Sequence, residues 1–302
     1  MARIFIVGSG VVGTATGKGF LHAGHEVTFI DILPRRLDYL RSQGLDARDT
    51  LDLEDEPDSF VFLTLPTPNE GHRYDLSAFE DGTAAVGKAL ATASGTPVVV
   101  VRSTVPPGTT EGLVQPLLEK HSGKTLGEDF TLASNPEFLR AASAVEDFMH
   151  PWMTVIASRS VRTVERLSAL LAPFGGELRT FSDPAAAEMV KCAHNIFNAT
   201  KISFWNEMWL VSQALGLDLD PIAETVARSA EGSYNPRYGI RGGAPYGGVC
   251  LPKDTKGFLG LADSIGLDMP LLRAVVRVND VLADRTAVDD RADDAATAGR
   301  FA

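Results

Sequence analysis

The stretch Ile4–Phe20, IFIVGSGVVGTATGKGF, runs from β-branched and aromatic residues straight into Gly8-x-Gly10-x-x-Gly13. The apolar run reads as a strand, and the glycines read as a turn that opens a helix. Glycine here permits a tight turn. It also lets a pyrophosphate approach the helix N-terminus, where unpaired backbone N–H groups favour an anion. Asp31 closes the next strand-like run, EVTFI, eighteen residues beyond Gly13. A carboxylate there can accept from ribose hydroxyls and repels a 2′-phosphate, so NAD is expected over NADP. The cofactor residues are then Gly8, Gly10, Val11, Val12, Gly13 and Asp31. Arg35 and Arg36 follow closely and keep some tolerance of NADP open. A strand–helix turn without a ligand is the plainer alternative.

Outward from this unit, short β-rich runs alternate with helical stretches. The runs RIFIV, EVTFI, FVFLTL, PVVVV, FTLAS and MTVIA are expected strands, with helices near 11–23, 34–43, 75–92, 109–121 and 160–172. Such alternation implies an α/β fold with a parallel, doubly wound sheet. From Asp183 the pattern changes. The segment SDPAAAEMVKCAHNIFNATKISFWNEMWLVSQALG has no breaker after Pro184 before Gly216, so one long helix is expected over 183–215, capped by Ser182 or Asp183. Further helices are expected near 219–229, 253–265 and 270–284, interrupted by the glycine-rich GSYNPRYGIRGGAPYGGVC. The domains expected are a Rossmann-like NAD-binding domain over 1–182 and a helical domain over 183–302. The small, acidic end, about 285–302, reads as a frayed polar tail.

The 302 residues suit one large or two ordinary domains, and 44% hydrophobic residues are enough for a proper core. The longest apolar runs are strand-sized, which points away from a membrane span, and the N-terminus lacks a leader pattern. A net charge of −11 without a basic–aromatic patch points away from nucleic acid. Cys192 and Cys250 form no disulfide framework and have no zinc spacing, so no metal and a reducing, cytoplasmic setting are expected.

Several residues have types suited to chemistry. Lys191 and Asn195, spaced i,i+4, share a helix face, where an ammonium and an amide can hold a substrate oxygen. A solvated face is the bland alternative, and the neighbours Ala187, Val190, His194, Ile196 and Phe197 suggest burial instead. Cys250 lies in YGGVCLPKD, just before a helix whose first turn holds Pro252, Lys253 and Asp254. A helix N-terminus and a lysine both favour the thiolate. Gly247 and Gly248 allow close approach of backbone to a ligand. A small buried filler is the alternative, and it describes Cys192 better. RSTVPPGTT and SNPEFLRAA follow expected strands and offer Ser103, Thr104 and Glu137, the last as a possible general base; ordinary turns are the alternative.

Together GSGVVG, LPTP (65–68), RSTVPPGT (102–109), NPEFLR (135–140), KCAHNIFNATKISFWNEM (191–208) and YGGVCLPKD resemble, in order, the UDP-glucose/GDP-mannose 6-dehydrogenase family. The resemblance implies oxidation of a sugar primary alcohol to the carboxylate in two NAD-dependent steps without release of the aldehyde. It implies that Cys250 captures the aldehyde and passes through a thioester. Lys191 and Asn195 match the oxyanion pair, Asp254 and Thr104 the water and proton relay, and Glu137 the general base. Thr67, Arg36 and Thr104 match cofactor contacts. Phe138, Leu139, Arg140, Tyr246, Gly247 and Gly248 match substrate contacts, and the helical domain implies a homodimer.

Three departures stand out. Ala141 replaces an acidic residue, and Met153, in HPWM, replaces an arginine. The chain also ends roughly where a third, nucleotide-binding-like domain would start, which suggests a short form taking a sugar, nucleotide sugar or nucleoside-like substrate. A two-electron dehydrogenase of the β-hydroxyacid type shares the Rossmann domain and the Lys-x-x-x-Asn pair but leaves GGVCLPKD unexplained. A non-catalytic NAD-binding scaffold is the rival from another class.

Overall fold

The computed structural model describes residues 1–298, with side chains as far as residue 285. Ten strands alternate with helices through residue 181: β1 (Arg3–Val7), α1 (Val11–His22), β2 (Glu26–Ile30), α2 (Pro34–Ser42), β3 (Ala47–Arg48), β4 (Phe60–Leu63), the hairpin β5 (Asn69–Glu70) and β6 (Arg73–Tyr74), α3 (Ser77–Leu90) and β7 (Val98–Val101). A π-type turn over Thr110–Val114 runs into α4 (Gln115–Ser122). There follow β8 (Thr131–Ser134), α5 (Ala144–Met149), β9 (Met153–Ala157), α6 (Val161–Leu171) and β10 (Glu177–Phe181).

Eight strands form one sheet in the order β3-β2-β1-β4-β7-β8-β9-β10. The pairings are parallel, apart from the β8–β9 junction at the single antiparallel pair Ser134–Ala157. Central strands of a sheet covered on both faces need apolar side chains in both directions. In β1, Ile4 and Ile6 enter one core with Phe20, Phe62 and Phe148, while Phe5 and Val7 enter the other with Phe79, Val86 and Leu118. The chain winds outward from β1 to β3, then crosses back to β4. The crevice between the C-terminal ends of β1 and β4 is where such sheets bind ligands.

β3, β10, the β5–β6 hairpin and α5 are additions to the sequence reading. β10, ELRTF, pairs with all five residues of β9 yet is largely exposed, so it lacks the apolar run that marked the central strands.

The long helix is α7 (Pro184–Leu215). The Asp183 carboxylate accepts from Ala185 N at 2.9 Å, which selects Asp183 over Ser182 as the cap. Gly216, at φ +66°, ends it, with Leu217 N donating to Ser212 O at 2.8 Å. Two compact units result, Met1–Asn195 and Ile196 onward, so the first three turns of α7 belong with the sheet rather than with the helices that follow.

The second unit comprises the rest of α7 with α8 (Leu219–Ser229), α9 (Glu231–Tyr234), α10 (Cys250–Ser264) and α11 (Pro270–Ala298). Its core gathers Val211, Ala262 and Met269 with Met208, Phe258 and Leu272. Glu207 of α7 is buried, and its carboxylate accepts from Leu271 N at 2.5 Å and Leu272 N at 3.1 Å, capping α11. The polar tail expected over about 285–302 is helical as far as Ala298, and residues 299–302 lie outside the described residues. Among the described residues no helix is long and apolar enough to cross a membrane.

Phe20 is fully buried against the rings of Phe62 (5.2 Å), Phe148 (5.2 Å) and Phe174 (5.7 Å). Phe20→Ala is expected to lower the unfolding free energy by about 3–5 kcal/mol, the usual loss for a buried Phe. Urea unfolding followed by circular dichroism checks this, and a loss near zero would contradict it.

Candidate active site

The dinucleotide turn is built as its sequence requires. Gly8 has φ +94°, a conformation in which L side chains are strained, and a Cβ there would crowd the Thr64 carbonyl. A Cβ on Gly13 would overlap the Gly8 carbonyl oxygen, whereas one on Gly10 would meet nothing within 4 Å. That open space lies where α1 begins without a side-chain cap, so its first N–H groups have no capping side chain. Val11 is exposed beside it and Val12 half-buried. Thr64, just after β4, donates to Gly8 O at 2.5 Å and fixes the turn across the crevice. Asp31 Oδ2 accepts from Ser9 N at 2.8 Å and Ser9 Oγ at 2.5 Å, and its Oδ1 from Leu33 N at 3.0 Å. These bonds hold the carboxylate at the end of β2 in one orientation. An open helix N-terminus beside an oriented acid fits NAD. Ser9, buried and silent in the glycine pattern, is the residue that sets Asp31. Arg36 is half-buried in the first turn of α2.

Lys191 and Glu137 meet. Lys191 Nζ lies 3.1 Å from Glu137 Oε1, and both side chains are close to nine-tenths buried. The other Glu137 oxygen accepts from Leu139 N at 2.5 Å. Phe138 packs edge-on against His194 (5.1 Å) and its ring faces the Lys191 ammonium at 5.4 Å. Trp152 stacks on His194 at 5.6 Å. Burial first, then the charge of Lys191, lowers the His194 pKa. Asn195, one turn beyond Lys191, is exposed. The burial expected around this pair holds for Ala187 but fails for Ile196 and Phe197, each 65% exposed, because α7 leaves the sheet there. Arg140 is exposed and binds Asp147 at 2.6 Å.

Behind this pair is a small cavity of about 30 Å³ lined by Arg102, Asn135, Glu137, Phe138 and Trp152 among others. Arg102 is buried, and its guanidinium donates to Thr16 Oγ1 at 2.9 Å and Asn135 Oδ1 at 2.6 Å. Burial pushes its pKa down to about 10, against the opposing pull of Glu137.

The loop after β7 carries Ser103 and Thr104. Ser103 Oγ donates to Leu65 O at 2.7 Å, and Thr67 Oγ1 donates to Thr104 O at 2.7 Å, so the LPTP segment and this loop hold each other. On its other side Glu188 of α7, 2% exposed, accepts from Gly108 N (2.5 Å), Thr110 N (2.7 Å) and Thr110 Oγ1 (2.5 Å). Burial raises the Glu188 pKa, while these hydrogen bonds pull it back. Cys192 is half-buried with its thiol 3.5 Å from Val105 O, so it is an anchor for the loop rather than a sealed filler.

In the second unit, Cys250 is exposed and is the first residue of α10 rather than the residue just before the helix, and Pro252 lies in the first turn as the sequence suggests. Lys253 Nζ pairs with Asp254 Oδ1 at 2.6 Å, both side chains pointing into solvent. Gly248 has φ +79° and open space around its Cα. Tyr246 is pinned on both backbone sides by Asn279 of α11, which accepts from Tyr246 N (2.6 Å) and donates to Tyr246 O (3.2 Å). Asn279 gave no signal in the sequence, since a lone Asn in a helix has no pattern.

The NAD binding domain model of the UDP-glucose/GDP-mannose dehydrogenase family matches residues 47–175, and that family's central domain model matches 185–281. The chain belongs to the UDP-glucose/GDP-mannose dehydrogenase family. A ketopantoate reductase model also matches residues 4–75, within the dinucleotide unit.

Among this dehydrogenase's relatives, UDP-glucose 6-dehydrogenase AglM of Haloferax volcanii is 33% identical over 94% of this chain and 70% of its own length. A ternary complex of GDP-mannose dehydrogenase from Pseudomonas aeruginosa superposes with a TM-score of 0.86 at 28% identity, covering 94% of this chain and 69% of that one. A UDP-glucose dehydrogenase of Pyrobaculum islandicum gives 0.70 at 33% identity, covering 93% and 68%. The protein is thus an NAD-dependent nucleotide-sugar dehydrogenase that oxidises a sugar alcohol.

Gly13→Ala tests the cofactor turn directly. The variant's turn must move to relieve the overlap, and restoring its shape on binding costs roughly the 1–3 kcal/mol of overpacking; each 1.4 kcal/mol is about tenfold in affinity, so NAD should bind roughly tenfold or more weakly. Calorimetric titration of the folded variant with NAD checks this, and unchanged affinity would refute the close packing of Gly13 on Gly8.

Proposed function

We propose that this dehydrogenase converts the primary alcohol of a nucleotide sugar to the carboxylate in two oxidations, with Cys250 as the covalent nucleophile. The observation that carries the reading is the buried Lys191–Glu137 pair, joined to the family membership of the chain that also bears Cys250. A buried ammonium beside a carboxylate costs desolvation, which is justified where charge develops during a reaction.

When bound, NAD supplies the two-electron acceptor for each oxidation; Gly8, Gly10, Val11, Val12, Gly13, Asp31, Arg36, Thr67 and Thr104 are the residues that would hold it. Glu137 takes the proton of the alcohol, and Lys191 with Asn195 stabilises the oxygen as negative charge grows on it. The Cys250 thiolate then adds to the aldehyde carbon, forming a C–S bond while the carbonyl pair becomes an oxyanion that is protonated to the thiohemiacetal. After the second oxidation the carbon is a thioester. Thr104 and Asp254 orient water, Glu137 accepts its proton, and the C–S bond breaks to give carboxylate and thiolate. Phe138, Leu139, Arg140, Tyr246, Gly247 and Gly248 contact the substrate.

The exposed apolar side chains of α7, including Phe197, Ile202 and Trp209, support a homodimer through this helix. Two free cysteines suit a reducing compartment such as the cytoplasm.

The test is the NADH yield per substrate consumed, with UDP-glucose and GDP-mannose, for wild type and Cys250→Ser. Two NADH from wild type, with the variant blocked before the carboxylate, is the expected result. One NADH per substrate, indifferent to the substitution, would replace the thioester route with a two-electron dehydrogenase. Lys191→Ala should lower kcat by roughly a hundredfold or more, the size seen when one oxyanion donor is removed.

A further inference from the structure

Glu188 belongs to none of the motifs above, yet it is among the most buried charged groups of the first unit. Three donors reach it from one loop: Gly108 N, Thr110 N and Thr110 Oγ1. One helical turn later on α7, Cys192 reaches the same loop at Val105 O. Glu188 and Cys192 are spaced i,i+4 and so lie on one face of the helix. Lys191 lies three residues from Glu188, with its ammonium on Glu137. The loop in turn carries Thr104, two residues beyond buried Arg102 and four before Gly108.

We propose that Glu188 is a positioning residue for this enzyme: it locks the loop bearing Thr104 to the turn of α7 bearing Lys191. The inference rests on the reading of Thr104 and Lys191 given above. The loop is clamped on both sides. Thr67 and Ser103 hold it to the LPTP segment, and Glu188 holds its far end to α7. Only an ionised carboxylate can accept from all three donors without presenting a hydrogen of its own. A buried carboxylate is a costly way to hold a loop, since a well-packed apolar residue of similar volume is often as stable or more so. What the carboxylate adds is a fixed register, because three donors define both the distance and the rotation of the loop against the helix. A misplacement of about 1 Å between reacting groups can cost on the order of a hundredfold in rate.

Glu188→Gln keeps the shape and turns an N–H₂ toward one of the three donors. In the full chain, kcat for NADH formation with UDP-glucose or GDP-mannose should fall roughly ten- to a hundredfold, while KM for the nucleotide sugar stays within about threefold because the loop's role is in the chemical step. Amide hydrogen exchange over residues 104–110 should quicken, with that of β1, β4 and β7 unchanged. Glu188→Asp, which keeps the charge but shortens its reach, should fall between the two. Exchange in the loop like that of wild type would overturn the clamp. Quickened exchange with kcat within about twofold of wild type would overturn the positioning role, because misplacement would then carry no kinetic cost. A wild type silent on both nucleotide sugars would instead sink the functional reading, and exchange alone would then judge the clamp.

Discussion

A carboxylate removed from water must be met by donors, and α7 meets this requirement twice by reaching to other elements. In the first unit Glu188 accepts from the N–H groups that open the turn before α4; in the second, Glu207 accepts from those that open α11. Each helix start offers unpaired N–H groups and a partial positive charge, so one bond set satisfies both the buried acid and the orphaned donors. These contacts fix the rotation of α7 about its axis within each unit. In the first unit that rotation aims Lys191 at Glu137.

The crevice at β1 and β4 follows from a similar economy. Gly8 bends the chain at the end of β1, Thr64 ties the bend to β4, and Gly13 lets α1 pack onto it. Asp31, at the end of β2, is held by Ser9 from inside the same turn. The residues proposed to hold the pyrophosphate and the ribose are thereby joined through direct hydrogen bonds, and the sheet core gathers Phe20, Phe62 and Phe148.

Much of this was legible in the residues. The central strands are visible because both faces of the sheet are covered, so RIFIV, FVFLTL and PVVVV are apolar apart from Arg3 and Thr64. α7 was visible from Pro184 and Gly216, which mark its two ends by backbone chemistry alone. The edge was not: β10 is ELRTF, and a strand half in solvent has no reason to be apolar. The acidic end lacks an apolar stripe and so reads as a tail, yet it continues α11 to Ala298. Ile196 and Phe197 are apolar and so read as buried; they are exposed because α7 has left the sheet by then.

The sequence by itself determined the α/β architecture, the glycine turn with Asp31 beside it, and the set of residue types suited to chemistry, because these depend on local spacing and on side-chain chemistry. Only the tertiary structure decided which charges meet. Lys191 is separated from Glu137 by more than fifty residues, Glu188 from Gly108 by eighty, and Tyr246 from Asn279 by thirty-three. No periodicity links such pairs. They come together because the packing of strands and helices brings distant backbone into register, and a buried polar group keeps its place only where that register supplies a partner.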